Sequence, residues 1–118
     1  MKGIKLIILF GSKASGKSGR LSDTDVAVLA DHPLRLEEKS ELSLQIAEKL
    51  GVSEDDIDIV DLADASPLLA QEISGKGKLL QGDEEEFVRF RVRAWKRYLD
   101  TAKFRRAREK ALEKSVHV

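Results

Sequence analysis

Two strand-length apolar runs lie close together near the start of this chain and open onto one polar loop, and that arrangement constrains the fold more than any other feature. The first run is Ile4 to Phe10 and the second Asp25 to Leu29, with Gly11-Ser12 at one mouth of the loop and Asp23-Thr24-Asp25 at the other. Apolar runs of this length, bounded by Gly, Ser and Asp, read as buried strands. Whatever chemistry the loop carries is therefore held at one edge of a sheet.

Two phosphate-handling patterns overlap in that loop. Gly11 to Ser18 reads Gly-x-x-x-x-Gly-Lys-Ser, the pattern of a P-loop that follows a strand. A P-loop needs Lys17 and Ser18 to open a helix whose amides and dipole hold the phosphates. The sequence does not supply that helix: Gly19 follows at once, Leu21 is the one apolar residue between Ala14 and Val26, and Ser22-Asp23 reads as a turn or strand entry. A chain of 118 residues is also short for the multi-stranded parallel sheet of such NTPases. The P-loop is the least favoured reading.

The acidic end of the loop offers a different chemistry. Residues i and i+2 of a strand share a face, so Asp23 and Asp25 point together at one site. Two like charges held there invite a cation. Hard oxygen ligands suit magnesium, and a metal pair about 3.5 to 4 Å apart holds the attacking and leaving oxygens of an in-line displacement at phosphorus. A third carboxylate is then required from a neighbouring strand. Asp58 in Ile57-Asp58-Ile59-Val60 is the first candidate, because a carboxylate that interrupts an apolar strand is costly unless paired or metal-bound, and Asp56 is the second. Gly11 lets backbone amides approach a phosphate, and the Ser12 hydroxyl adds a donor. Gly-Ser standing alone would be an ordinary turn; beside Asp-x-Asp it forms the other half of a site.

The remaining chain reads as an α/β (α+β) succession of short elements. A helix is predicted from about Leu34 to Leu50, with Leu42, Ile46, Ala47 and Leu50 on one face and Gly51 as its stop. A third strand follows from about Ile57 to Leu62. Ser66-Pro67 opens a short helix to Ile73, and Leu79-Leu80 forms a short strand. Asp83 and Glu86 have capping-box spacing for a last helix from about Glu84 to Glu113. On it Val88, Val92, Trp95, Leu99 and Ala102 make a 4-3-4-3 stripe, for which core packing is expected over the first half. The length predicts one domain, residues 1–118, with a catalytic part, residues 1–82, and a C-terminal helix, residues 83–118, expected to dock a partner.

Twenty-one basic and 21 acidic residues cancel, so the whole molecule has no general attraction to nucleic acid or an anionic membrane. The charge is nevertheless segregated: from Arg89 to Lys110 ten Lys or Arg stand against Asp100 and Glu109, a net +8. Aromatics are sparse in that stretch, so a solvated helix face is expected rather than a direct nucleic-acid ligand. The absence of cysteine excludes disulfides and thiolate metal sites. The short apolar start reads as a buried strand of a cytoplasmic protein, not a leader. The lack of Asn and the 36% charged residues follow the thermophile tendency. His32 and His117 have no metal-ligand spacing and read as loop and tail residues.

Taken together, LFGSKASG, SDTDVAVL and IDIVDL resemble the motifs of the DNA polymerase beta-like nucleotidyltransferase superfamily. RYLDTAKFRRAREK is similar to the terminal helix of its minimal nucleotidyltransferase (MNT) antitoxins. The likeness covers nearly the whole chain. It implies a small mixed β-sheet with helices packed on one side and a long C-terminal helix. It further implies Asp23, Asp25 and Asp58 as catalytic metal ligands for two Mg2+, with Gly11, Ser12 and Lys13 at the ATP phosphates. The partner implied is a HEPN-domain RNase toxin, silenced by AMP transfer to a tyrosine, in a hetero-oligomer with the antitoxin. Lys13 stands where Arg is more usual, keeping the charge but losing the fork geometry. Two other readings keep part of this: nucleotidyl transfer to a small molecule such as an aminoglycoside, and an antitoxin that neutralises by binding alone.

Overall fold

The computed structural model describes residues 2–11 and 24–116. Strand β1 (Ile4–Phe10) pairs antiparallel with β2 (Thr24–Ala30), and β2 pairs parallel with β3 (Ile57–Asp61). A short strand β4 (Lys78–Gly82) adds antiparallel to the other side of β1, giving the order β3-β2-β1-β4. Antiparallel pairing of β1 with β2 is itself incompatible with a P-loop unit, whose strand, loop and helix cross over to a parallel neighbour. Lys17 and Ser18 lie outside the described residues.

Helix α1 (Leu36–Leu50) is the crossover between the parallel strands. The Glu38 carboxylate accepts the Arg35 amide at 3.0 Å, and Gly51 closes the helix at φ 70°, a left-handed conformation that glycine adopts without strain. Leu42 and Ile46 from α1 meet Ile7, Val26 and Val28 on one face of the sheet. The opposite face carries Leu6, Ile8 and Ala27, which are covered by Ala70 and Ile73 of α2 (Pro67–Lys76) and by Phe90 and Ala94 of α3 (Glu84–Asp100). Helices thus cover both faces, not the one face expected. Each central strand is apolar on both sides, as Leu6-Ile7-Ile8 and Val26-Ala27-Val28 show, and such strands require two covers.

Two expectations for the C-terminal helix change. The single helix is interrupted at Thr101, after which α4 runs Ala102–Val116. Arg105 secures the junction: it donates to the Tyr98 carbonyl at 2.6 Å and the Thr101 hydroxyl at 2.5 Å, and lies 3.8 Å from the centre of the Tyr98 ring. The stripe predicted to pack in the core is also turned outward, with Val88 55%, Val92 62%, Trp95 46% and Leu99 60% exposed. The core receives Phe87, Phe90 and Ala94 instead. Both stripes satisfy helical spacing, and the two phenylalanines offer the larger apolar area while Ala94 permits close approach.

Asp61, at the end of β3, is buried and accepts the amides of Leu34 at 2.8 Å and Ala63 at 3.0 Å. It ties the exit of β3 to the entrance of α1. No helix among the described residues is long and apolar enough to cross a membrane.

Candidate active site

The candidate residues that the structure describes gather where β1 ends and where β2 and β3 begin. Parallel pairing of β2 with β3 puts Asp25 opposite Asp58 in register, and antiparallel pairing of β1 with β2 puts Phe10 opposite Asp25. Register partners project to the same face, and adjacent strands are about 4.8 Å apart, so Phe10, Asp25 and Asp58 form a row across three strands. The sequence alternation explains the row. Val26, Ile57 and Ile59 turn toward α1, which sends Asp25 and Asp58 to the opposite face. Asp25 is half-buried and Asp58 exposed.

Gly11 completes the row from the β1 side. Its φ is +77°, and a Cβ built on it would collide with a carboxylate oxygen of Asp25. Glycine is required here twice, by the left-handed backbone and by the space that the carboxylate takes up. Two carboxylates one strand spacing apart, with a side-chain-free backbone turn beside them, form a cradle whose donor set is hard oxygen. That chemistry fits magnesium. Among the described residues no three acidic, histidine or cysteine side chains form a metal-holding group. The third expected ligand, Asp23, lies outside the described residues, as do Ser12 and Lys13.

Asp56 falls in the 3-10 turn Glu54–Asp56 ahead of β3, outside the register pair. Phe10, which the sequence reading passed over as part of an apolar run, stands beside the carboxylates as an apolar wall. Its even spacing from Leu6 and Ile8 was the available signal. Thr24, between the two acids, is buried at 1% exposure, and its hydroxyl has no hydrogen-bond partner among the described residues.

At the far end of β2, His32 is held between two acids rather than being an idle loop residue. Nδ1 lies 2.6 Å from Asp31 and Nε2 2.8 Å from Glu38. The hydrogen bonds to Asp31 and then Glu38 raise the imidazole above its ordinary value of 6.5, and the same bonds lower both carboxyls. This cluster is at the other end of β2 from Asp25.

A mixed sheet with two carboxylates in register beside a strand-ending glycine defines a class of phosphate-transfer domain. Residues 1–86 match the family described as Polymerase beta, Nucleotidyltransferase, and the chain belongs to that family. Within it the chain is similar to Protein adenylyltransferase MntA of Shewanella oneidensis, with 38% identity over 95 residues, 80% of this chain and 66% of that protein. It is also similar to Protein adenylyltransferase MntA of Aphanizomenon flos-aquae, with 35% identity over 103 residues, 76% of this chain and 65% of that protein. The chain thus spans just under two thirds of the length of these two relatives. Among solved structures, a toxin-antitoxin crystal structure with AMP-PNP superposes with a TM-score of 0.72 at 32% identity, covering 100% of this chain and 90% of the other. A complex of tri-AMPylated Shewanella oneidensis HEPN toxin with its MNT antitoxin gives a TM-score of 0.64 at 30% identity, covering 100% and 87%.

Proposed function

We propose that this chain is a magnesium-dependent nucleotidyltransferase that moves AMP from ATP to a tyrosine hydroxyl of a HEPN RNase toxin, acting in the cytoplasm as the antitoxin of the pair. The register pairing of Asp25 with Asp58 beside Gly11, in a chain of this family, is the observation that carries the reading. The relatives named adenylyltransferases and the AMPylated toxin seen with an MNT antitoxin support the choice of nucleotide and acceptor.

Asp23, Asp25 and Asp58 are the residues assigned to hold magnesium, which when bound supplies Lewis-acid stabilisation of the charge that builds on the phosphates. Gly11 admits a phosphate close to the backbone, Ser12 adds a hydroxyl donor, and Lys13 adds positive charge. Asp58 accepts the proton of the tyrosine hydroxyl; its exposure supports that role, because an acceptor can reach it. The tyrosine oxygen forms a bond to the α-phosphorus as the bond to the β-phosphate oxygen breaks, and pyrophosphate leaves. Residues 1–82 form the catalytic part, and within residues 83–118 the basic helix α4 is the docking surface for the toxin. From Arg106 to Glu113 every side chain of α4 is exposed, which leaves it open to a partner.

The test is a transfer assay with magnesium and a HEPN-domain toxin, comparing ATP labelled at the α-phosphate with ATP labelled at the γ-phosphate. The expected result is α label on the toxin, abolished by chelation and by the Asp23→Asn, Asp25→Asn double variant. Release of γ-phosphate that depends on Lys17 and ignores Asp23 would restore the P-loop. Neutralisation of the toxin without label, surviving the double variant, would make this an antitoxin by binding alone.

A further inference from the structure

A cleft of about 340 Å3 lies between the start of α2 and the start of α4, with Pro67 and Leu68 on one side and Phe104, Arg105 and Arg108 on the other. Its two hydroxyls are already engaged within the chain. Ser66 accepts the Leu69 amide at 3.1 Å, and Thr101 lies 3.1 Å from the carbonyls of Arg97 and Tyr98. What remains for a ligand is apolar surface and positive charge: Leu68 is 47% exposed, Phe104 66%, and the two guanidiniums stand beside them. We propose, resting on the reading of α4 as the toxin-docking helix, that this cleft receives an apolar side chain of the toxin while Arg108 holds a carboxylate of the same toxin segment.

Charge selects the occupant. Residues 102–113 hold Lys103, Arg105, Arg106, Arg108 and Lys110 against Glu109 and Glu113, a net +3. Arg105 donates to two neutral acceptors, the Tyr98 carbonyl at 2.6 Å and the Thr101 hydroxyl at 2.5 Å. Among the described residues neither Arg105 nor Arg108 forms an ion pair, whereas Arg89 and Arg93 on α3 do. Beside an apolar wall a carboxylate gains more from a guanidinium than in open solvent, and the planar fork meets it with two hydrogen bonds. A second copy of the chain fits less well. Two α4 helices would bring like charges together, and Glu85 and Glu86 of α3 are already paired with Arg89 and Arg93. A single-stranded nucleic acid stacks on a run of aromatics, and α4 offers Phe104 alone.

Spacing describes the toxin segment further. Arg108 follows Phe104 by four residues, so the two stand on one side of α4, about 6 Å apart along its axis. A toxin helix lying along α4 matches them with an apolar residue and an acid three or four positions apart. The partner chemistry is thus an acidic amphipathic helix. One anchored side chain does not hold a complex alone. The exposed α4 surface from Arg106 to Glu113 surrounds it, the arrangement in which a central, desolvated side chain carries most of the affinity.

The test is calorimetric binding of a HEPN-domain toxin to the full chain, with AMP transfer measured in parallel. Phe104→Ala and Arg108→Glu are each expected to weaken binding about 10-fold or more, and Leu68→Ala, on the other wall, to weaken it as well. All three positions are exposed, so the far-UV spectrum should not change. Lys49→Glu makes the same change of charge on α1, across the sheet, and is expected to alter binding less than about twofold. In the transfer assay the three cleft variants should raise KM for the toxin and leave kcat at saturating toxin unchanged, because none of them lies in the Asp25–Asp58 row. Wild-type affinity in all three variants, with AMP still transferred, would overturn the anchor and leave the proposed function standing. Neither binding nor label with the wild type would overturn both. The anchor also falls if Arg108→Glu abolishes binding of a single-stranded RNA oligonucleotide but not of toxin, or if Phe104→Ala only dissociates a dimer of the chain.

Discussion

At the ends of β1, β2 and β3 the backbone register decides which side chains meet, whereas along α3 the outcome depends on two competing apolar faces. Asp25 and Asp58 face each other because hydrogen-bonded strands permit no other alignment without turning every core residue of a strand outward. On α3 no such constraint operates. Phe87-Phe90-Ala94 and Val88-Val92-Trp95-Leu99 are equally regular, and the difference lies in which face packs better against Ile8, Ile73 and Ala27. A site set by register is robust to side-chain change at its margins, and a helix face set by packing is open to a second use.

The largest expected effect tests the register. Asp58→Asn should lower AMP transfer by at least about 100-fold, comparable to loss of an electrostatic catalytic group, while the melting temperature stays unchanged because Asp58 is exposed. A transfer rate near wild type would remove Asp58 from the site and return Asp56 to consideration. Next comes the pair that divides α3. Phe90→Ala should cost about 3 to 5 kcal/mol in urea unfolding, and Val92→Ala, at an exposed position, less than about 0.5 kcal/mol. Equal losses would mean that the two faces are not distinguished as described.

The register itself depends on the tie at the other end of β3. Asp61→Ala leaves the Leu34 and Ala63 amides without their acceptor, and should cost about 2 to 3 kcal/mol while the folded fraction stays active. A melting curve that overlays wild type would show the tie to be idle.

The smallest effect is in the His32 cluster. Because the folded imidazole is raised, its contribution to stability is present below its unfolded value of 6.5 and fades as pH rises through the folded value. Because Asp31 and Glu38 are lowered, theirs is present above ordinary carboxyl values and fades as pH falls through the folded ones. Wild type should therefore lose urea resistance relative to His32→Gln as pH rises from 6.5 through the raised folded value. Parallel pH profiles would sink that assignment.

The strands and the meeting of Asp25 with Asp58 were legible in the sequence because period-2 alternation and a lone charge in an apolar run are short-range signals. Ile57-Asp58-Ile59 announces both its strand and its odd member. The helix starts at Ser66-Pro67 and Asp83 were equally local, and Ser66 and Asp83 do accept the amides of Leu69 and Glu85. What escaped the sequence required knowledge of a neighbour. The core face of α3 depends on α2 and the sheet, the break at Thr101 on Arg105 reaching back to Tyr98, and the His32 cluster on Glu38 one helical turn into α1. Gly11 read as a phosphate-approach glycine, yet its clash with Asp25 became visible only once β1 and β2 were paired.

Parallel pairing of β2 with β3 also governs when the site comes into being. Asp25 and Asp58 are 33 positions apart, and no hairpin can bring them together; α1 must first form and cross the sheet. A nascent chain released before β3, or one that misroutes the crossover, has Asp25 but no opposing carboxylate. The crossover therefore acts as an assembly checkpoint for the paired carboxylates, and on the proposed function AMP transfer would require a molecule that has finished folding.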